Sequence, residues 1–259
     1  MNSSVSPRSH ARTIWQAGVQ AVDSGKLIRD SICYSKGQLS IMGNHWRLSE
    51  IQNIVVVGGG KAGAGMAAAV EKVLGEEIVA QKVTGWVNVP EDCVHVDGAL
   101  LQKIHLHAAR PAGFNEPTEE GVQGTDQIFE MVSQLEEDDL CIVLLSGGGS
   151  ALLPAPVKEI SLNDKRDVTQ QLMQAGATIN ELNIVRKQLS RIKGGGLAKA
   201  ARNTQLVALI ISDVIDDPLD IIASGPTVVD TSTPQEALDI LKKFSTTRQF
   251  PQRVLKYLE

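Results

Sequence analysis

The chain has 259 residues, 42% of them apolar and 21% charged, which is enough to bury a sizeable core in one or two domains. A formal charge of −5 and an aromatic content of 3% argue against a nucleic-acid or anionic-membrane surface and against base-stacking platforms. The start is polar and carries Pro7, and no apolar run approaches a membrane span, so the reading is a soluble cytoplasmic protein with no membrane partner.

The first predicted strand, 53–57, runs into Gly58-Gly59-Gly60-Lys61-Ala62-Gly63 and an Ala- and Val-rich helix over 62–74. Strands follow over 78–89 and 103–107, the latter terminated by Arg110-Pro111-Ala112-Gly113. The helix expected over 116–135 opens with acids and gathers Val122, Ile128, Phe129, Val132 and Leu135 on one side. An apolar strand over 140–145 contains Cys141, read as a small core residue. Cys33 and Cys93 are far away in sequence, with no CxxC or His/Cys metal spacing, so the thiols read as reduced.

Helices are expected over 161–177, 178–192 and 196–202, followed by a strand over 206–212. Thr233 precedes Pro234 as an N-cap for a helix over 234–244, and the last helix covers 251–258. Alternating strands and helices predict an α/β fold, a Rossmann-like three-layer α/β/α sandwich with a mainly parallel sheet. Ligands of such sheets bind beyond the carboxyl ends of the strands, where both Gly-rich turns fall.

The second of these turns is Ser146-Gly147-Gly148-Gly149-Ser150. Glycines leave backbone N–H groups unscreened, and with two hydroxyls they suit a phosphate or carboxylate. In the first turn, Gly58, Gly60 and Gly63 satisfy G-x-G-x-x-G, yet no acid stands at the end of the next strand to hold a ribose. A P-loop is absent, because Val55 replaces the lead glycine and Ala62 the Mg²⁺-binding hydroxyl. Lys61 lies inside the turn, placed to pair with an anion.

A basic stretch follows in Arg186, Lys187, Arg191 and Lys193, leading to Gly194-Gly195-Gly196. On a continuous helix Arg186, Ser190 and Lys193 share one face, and the glycines supply a third backbone turn for phosphate binding. Asp213 directly follows the strand over 206–212 and suits Mg²⁺ or a substrate hydroxyl. Asp216 and Asp217 before Pro218 read as turn residues, and Ser224-Gly225-Pro226-Thr227 as a small-residue turn lining the same cleft. His105 and His107 share one side of a strand without a third metal ligand nearby, so they read as structural or surface residues.

The motifs GGGKAG, SGGGSALLPAP, GATINELNIVRKQLSRIKGGGLA and ISDVIDDPLDIIASGPT, in this order over 51–244, resemble the class II glycerate kinases of the MOFRL type. Some members of that family are labelled hydroxypyruvate reductases. The resemblance implies phosphorylation of D-glycerate to 2-phosphoglycerate with ATP and Mg²⁺. It places the family's reactive lysine on Lys61, its acidic residue on Asp213 and its SGGGS loop on Ser146 to Ser150. The cleft expected on this basis has Lys61 and Asp213 as catalytic residues and Asp213 on the metal. Its anion-binding walls are Gly59, Gly60, Ser146, Gly147, Gly148, Gly149, Ser150, Arg186, Lys193, Gly194, Gly195 and Ser224.

Many members carry His-Pro-x-Pro-Asp where this chain has Arg110-Pro111-Ala112-Gly113-Phe114-Asn115-Glu116-Pro117. The family also has a C-terminal domain that closes the cleft and supplies an Arg. The chain is therefore expected to be a single N-terminal domain over 1–259, partnered by a separate C-terminal domain or a second copy. The rival expectations are an NAD(P)H-dependent hydroxypyruvate reductase and an inactive ligand-binding domain that needs a partner half.

Overall fold

The computed structural model describes residues 6–95, 101–246 and 248–259. The chain enters through helices α1 (Pro7–Ala21) and α2 (Ser24–Ser31) and an antiparallel meander of β1 (Ile32–Ser35), β2 (Gln38–Ile41) and β3 (Asn44–Arg47). Two-residue turns at Lys36-Gly37 and Met42-Gly43, all with positive φ, match the twist that tight hairpins require.

The main sheet is built from β4 (Ile54–Gly59), β5 (Val83–Pro90), β6 (Ile104–Arg110), β7 (Leu140–Ser146) and β8 (Gln205–Ile211), in the order β6-β5-β4-β7-β8. All its pairings are parallel. The central strands read as unbroken apolar runs because both faces are covered. Ile54, Val56, Ile142 and Leu144 pack on one side against α3 (Gly63–Leu74), α2 and the meander. Val55, Val57, Cys141, Val143 and Leu145 pack on the other with α5 (Glu119–Ser133). The result is the expected three-layer α/β/α arrangement. Burial pushes the Cys141 thiol up to about 12, as befits a core side chain.

Two of the elements expected from the sequence differ in kind or extent. Residues 78–82 are helical, not strand: α4 (Glu76–Lys82) starts after Gly75, whose φ of 83° ends α3, and buries Ile78 and Val79. Two adjacent apolar residues serve a helix face as well as a strand here. α8 (Ile179–Gln188) stops short of 192, because Arg191 N–H turns away to the Ala155 carbonyl and Ser190 bridges Pro156. Ser190 and Lys193 therefore do not share a helical face with Arg186.

The remaining helices are α6 (Gly149–Leu152), α7 (Leu162–Gln174), α9 (Gly196–Ala200), α10 (Pro234–Phe244) and α11 (Gln252–Leu258). α7, α8, α10 and α11 share a smaller apolar cluster that includes Val168, Leu172, Val185, Leu241 and Val254. Capping boxes at Ser161, Thr178 and Thr233 fix the starts of α7, α8 and α10. The parallel register sets Gly59 beside Leu145, so the Gly-rich turns after β4 and β7 emerge side by side.

Candidate active site

The two turns are locked together. The N–H of Lys61 donates to the Gly147 carbonyl at 3.0 Å, and the N–H of Ala62 to the Ser146 hydroxyl at 3.0 Å. Gly60 N–H donates to the Asn88 carbonyl at 3.1 Å. The amides of Gly60, Lys61 and Ala62 are thus turned into the protein, while Gly59 and Ser146 close strands β4 and β7. These positions are packing devices. A Cβ on Gly60 would lie 2.1 Å from the Ser146 hydroxyl oxygen, so only glycine permits the approach. The same geometry engages the amides of Gly60, Lys61, Ala62 and Gly63 within the protein.

The second turn differs. Gly148 takes a φ of +86°, and the N–H groups of Gly148, Gly149 and Ser150 donate to no acceptor among the described residues. Over this turn three charged side chains converge. A Cβ on Gly148 would sit 3.5 Å from Lys61 Cε and 3.3 Å from an Arg110 guanidinium nitrogen. A Cβ on Gly147 would sit 2.7 Å from an Asp213 carboxylate oxygen. Lys61 and Asp213 are exposed, whereas Arg110 is 4% exposed and its Nε has no hydrogen-bond partner among the described residues.

Arg110 is the residue that sequence reasoning missed. Pro111 behind it marks a strand end, and nothing local shows that the strand end reaches the neighbouring turn. Lys61 and Arg110 also reach Cys93: burial and Asp92 push its thiol up, and the two cations oppose that shift. His105 and His107 lie on one side of β6 against Trp86, with ring centroids 4.1 and 5.2 Å from the indole.

The third glycine turn is built differently from the second. Gly194 and Gly195 donate their N–H groups to the carbonyls of Ser224 and Gly225, at 3.0 and 2.7 Å. They clamp the loop and offer no amide to a phosphate. Ser224 is fully buried, donating to Asn183 Oδ1 at 3.1 Å and touching the Ser150 hydroxyl at 3.3 Å, so it supports the wall and does not line it.

Lys193 is buried, and its ammonium reaches Ser150 O at 3.0 Å, Ser150 Oγ at 2.8 Å and Ala223 O at 3.3 Å. All three of its donors are committed within the protein. Burial, then Lys165 and Arg186, pull its pKa well below the lysine range. Lys187 pairs with Asp230 and Asp220, and Arg191 with Asp126. Arg186 makes no side-chain hydrogen bond or ion pair among the described residues, and burial lowers its pKa.

The fit to Mg²⁺ rests on Asp213. No group of three or more metal-ligating side chains occurs among the described residues. One carboxylate beside free amides nevertheless suits Mg²⁺, which is held by one or two carboxylates with phosphate oxygens and water.

The family described as "Domain of unknown function (DUF4147)" matches residues 10–259. Rat glycerate kinase is 40% identical over 98% of this chain and 49% of its own length. The Thermotoga maritima glycerate kinase crystal structure superposes with a TM-score of 0.76 at 32% identity, covering 96% of this chain and 54% of that one. A Pyrococcus horikoshii structure gives 0.83 at 30% identity, over 98% and 55%. The chain thus spans about half the length of the curated relatives it matches. The chain belongs to the DUF4147 family and is similar to glycerate kinases over about half of their length.

Proposed function

We propose that this chain supplies one wall of an ATP-dependent glycerate kinase, phosphorylating D-glycerate to 2-phosphoglycerate. The observation that carries the proposal is the convergence of Lys61, Arg110 and Asp213 on the free amides of the 147–150 turn. Phosphoryl transfer asks mainly for positioning and charge stabilisation, and this inventory provides both. The 2-position is supported by the name of a T. maritima relative, D-glycerate 2-kinase, 38% identical over 75% of this chain and 44% of its own.

In this mechanism the amides of Gly148, Gly149 and Ser150 grip phosphate oxygens, and Lys61 and Arg110 neutralise charge on the transferring group. The 2-hydroxyl oxygen of glycerate forms a bond to the γ-phosphorus while the bond to the β–γ bridging oxygen breaks, and ADP leaves with its electrons. Asp213 orients the attacking hydroxyl and accepts its proton, and it is also the side chain that would hold Mg²⁺. Mg²⁺, when bound with ATP, supplies neutralisation of phosphate charge.

The resemblance adds a second domain that closes the cleft, either covalently continuous or as a separate partner, and self-association of this chain remains part of the proposal. A cytoplasmic location, where free thiols such as Cys33, Cys93 and Cys141 persist, belongs to the same reading. The test is ADP release coupled to D-glycerate in the two-domain form, beside NADH oxidation with hydroxypyruvate. Glycerate-dependent ADP release with no NADH oxidation is expected. The reverse pattern would replace the kinase with a reductase.

A further inference from the structure

Lys165, on α7, is 5% exposed, and its ammonium has no hydrogen-bond partner among the described residues. An unpaired buried cation is destabilising, so folds keep one only where something offsets it. The charged groups that act on Lys165 from the elements packed around it are Arg186 on α8 and Arg191 and Lys193 in the segment after α8, all cationic. Arg191 is balanced by Asp126, and Lys193 by carbonyls and a hydroxyl. Among the described residues, Lys165 and Arg186 are left with free donors and no counter-charge.

Their position relates to the turn at 147–150. Asn183, three residues before Arg186 and so on the same side of α8, accepts from Ser224, whose hydroxyl touches that of Ser150. Lys193 reaches Ser150 from beneath. The side of α8 that carries Arg186 is thereby docked on the end of the anion-binding turn, and Arg186 keeps partial solvent contact.

We propose that Lys165 and Arg186 form a receptor for one compact anionic group, the carboxylate of the acceptor or a phosphate of the nucleotide. This rests on the kinase reading, since transfer between two anionic substrates requires a second anion site besides the Lys61 cluster. Burial and the neighbouring cations bring Lys165 down to about 7, so a bound anion draws a proton onto it.

The experiment is isothermal titration calorimetry of the 259-residue chain with D-glycerate, Mg·ADP and inorganic phosphate, each in two buffers of different ionisation enthalpy. Wild type is compared with Lys165→Met and Lys165→Arg. At pH 7, binding to wild type is expected to take up about half a proton, the unprotonated fraction of a group at its pKa. Lys165→Met is expected to weaken the sensitive ligand at least tenfold and abolish the uptake. Lys165→Arg retains affinity without uptake, because guanidinium is already charged. Sensitivity to glycerate identifies the carboxylate as occupant, and sensitivity to Mg·ADP the phosphate.

Lys165→Met should melt no lower than wild type, since it removes a buried unpaired charge, and so misfolding does not mimic the result. Affinities and proton counts within twofold of wild type in Lys165→Met would overturn the receptor and leave the kinase reading standing. Failure of all three probes to bind wild type would also overturn it. Phosphate binding that depends on Lys165, with no binding of glycerate or Mg·ADP, would uphold the receptor and overturn the kinase reading.

Discussion

The Asp213 carboxylate rests on Gly147: a Cβ at position 147 would lie 2.7 Å from its nearer oxygen. The absence of a side chain at Gly147 is what lets the carboxylate lie over the turn. Gly147→Ala should push Asp213 aside and lower kcat of the two-domain form by about 10²-fold, the scale of losing one positioned group. The melting temperature should stay within a few degrees of wild type, because the clash falls on the tip of a side chain that can turn away. Steady-state kinetics beside thermal melting distinguishes this from unfolding.

Arg110 presents a guanidinium to the same turn from the end of β6. Arg110→Met keeps much of the apolar stem and removes the charge. It should cost about 10²–10³-fold in kcat if the group acts on the developing charge of the transfer. Arg110→Lys should recover only part of this, since an ammonium cannot reproduce the planar fork. The check is kcat and KM for ATP and glycerate measured separately.

Gly60→Ala tests the packing role of the first turn. Its Cβ would meet the hydroxyl, N and O of Ser146 at 2.1, 2.7 and 2.8 Å, much of it backbone that cannot rotate away. A loss of about 3 kcal/mol or more is expected in urea unfolding, typical of severe overpacking. Normal stability with selectively lost nucleotide binding would instead return Gly60 to the anion site.

Lys165 also makes stability depend on pH. Its folded pKa of about 7 lies below the ordinary 10.5, so between these values the folded chain binds fewer protons than the unfolded one. Stability therefore rises with pH across that window, and the penalty is fully present below pH 7. From pH 7 to pH 9 this residue alone contributes on the order of 2 kcal/mol, a slope that Lys165→Met should remove. Lys193 shifts in the same direction, so part of the wild-type slope should survive the substitution. Urea unfolding of both proteins at the two pH values measures the difference.

The sheet, the strand that ends in Ser146 and the capped helices were legible because each is a local pattern. β7 is a continuous apolar run, and Thr233-Pro234 writes its own helix start. The short meander of β1, β2 and β3 was missed, since four-residue strands carry too little alternation to stand out. All three Gly-rich turns looked alike as sequence, but the fate of their amides is a tertiary fact. The amides of Gly60, Gly194 and Gly195 are consumed by carbonyls brought from elsewhere, and those of Gly148, Gly149 and Ser150 are not.

Lys165 was invisible for a related reason. It lies in Asn163-Asp164-Lys165-Arg166-Asp167, which reads as a solvated helix face. Only its tertiary surroundings bury it. Arg110 was hidden by its own proline neighbour, whose turn signal gave the residue a sufficient local explanation.

The most direct test of the central claim is D-glycerate-dependent ADP release by this chain joined to a glycerate kinase C-terminal domain, compared between wild type and Lys61→Met. The account predicts turnover in wild type, a loss of about 10³-fold or more in Lys61→Met with the fold intact, and little turnover from the 259-residue chain alone, because half the cleft stays open to water. Turnover by Lys61→Met at the wild-type rate, or no glycerate-dependent ADP release from the wild-type fusion, would contradict it.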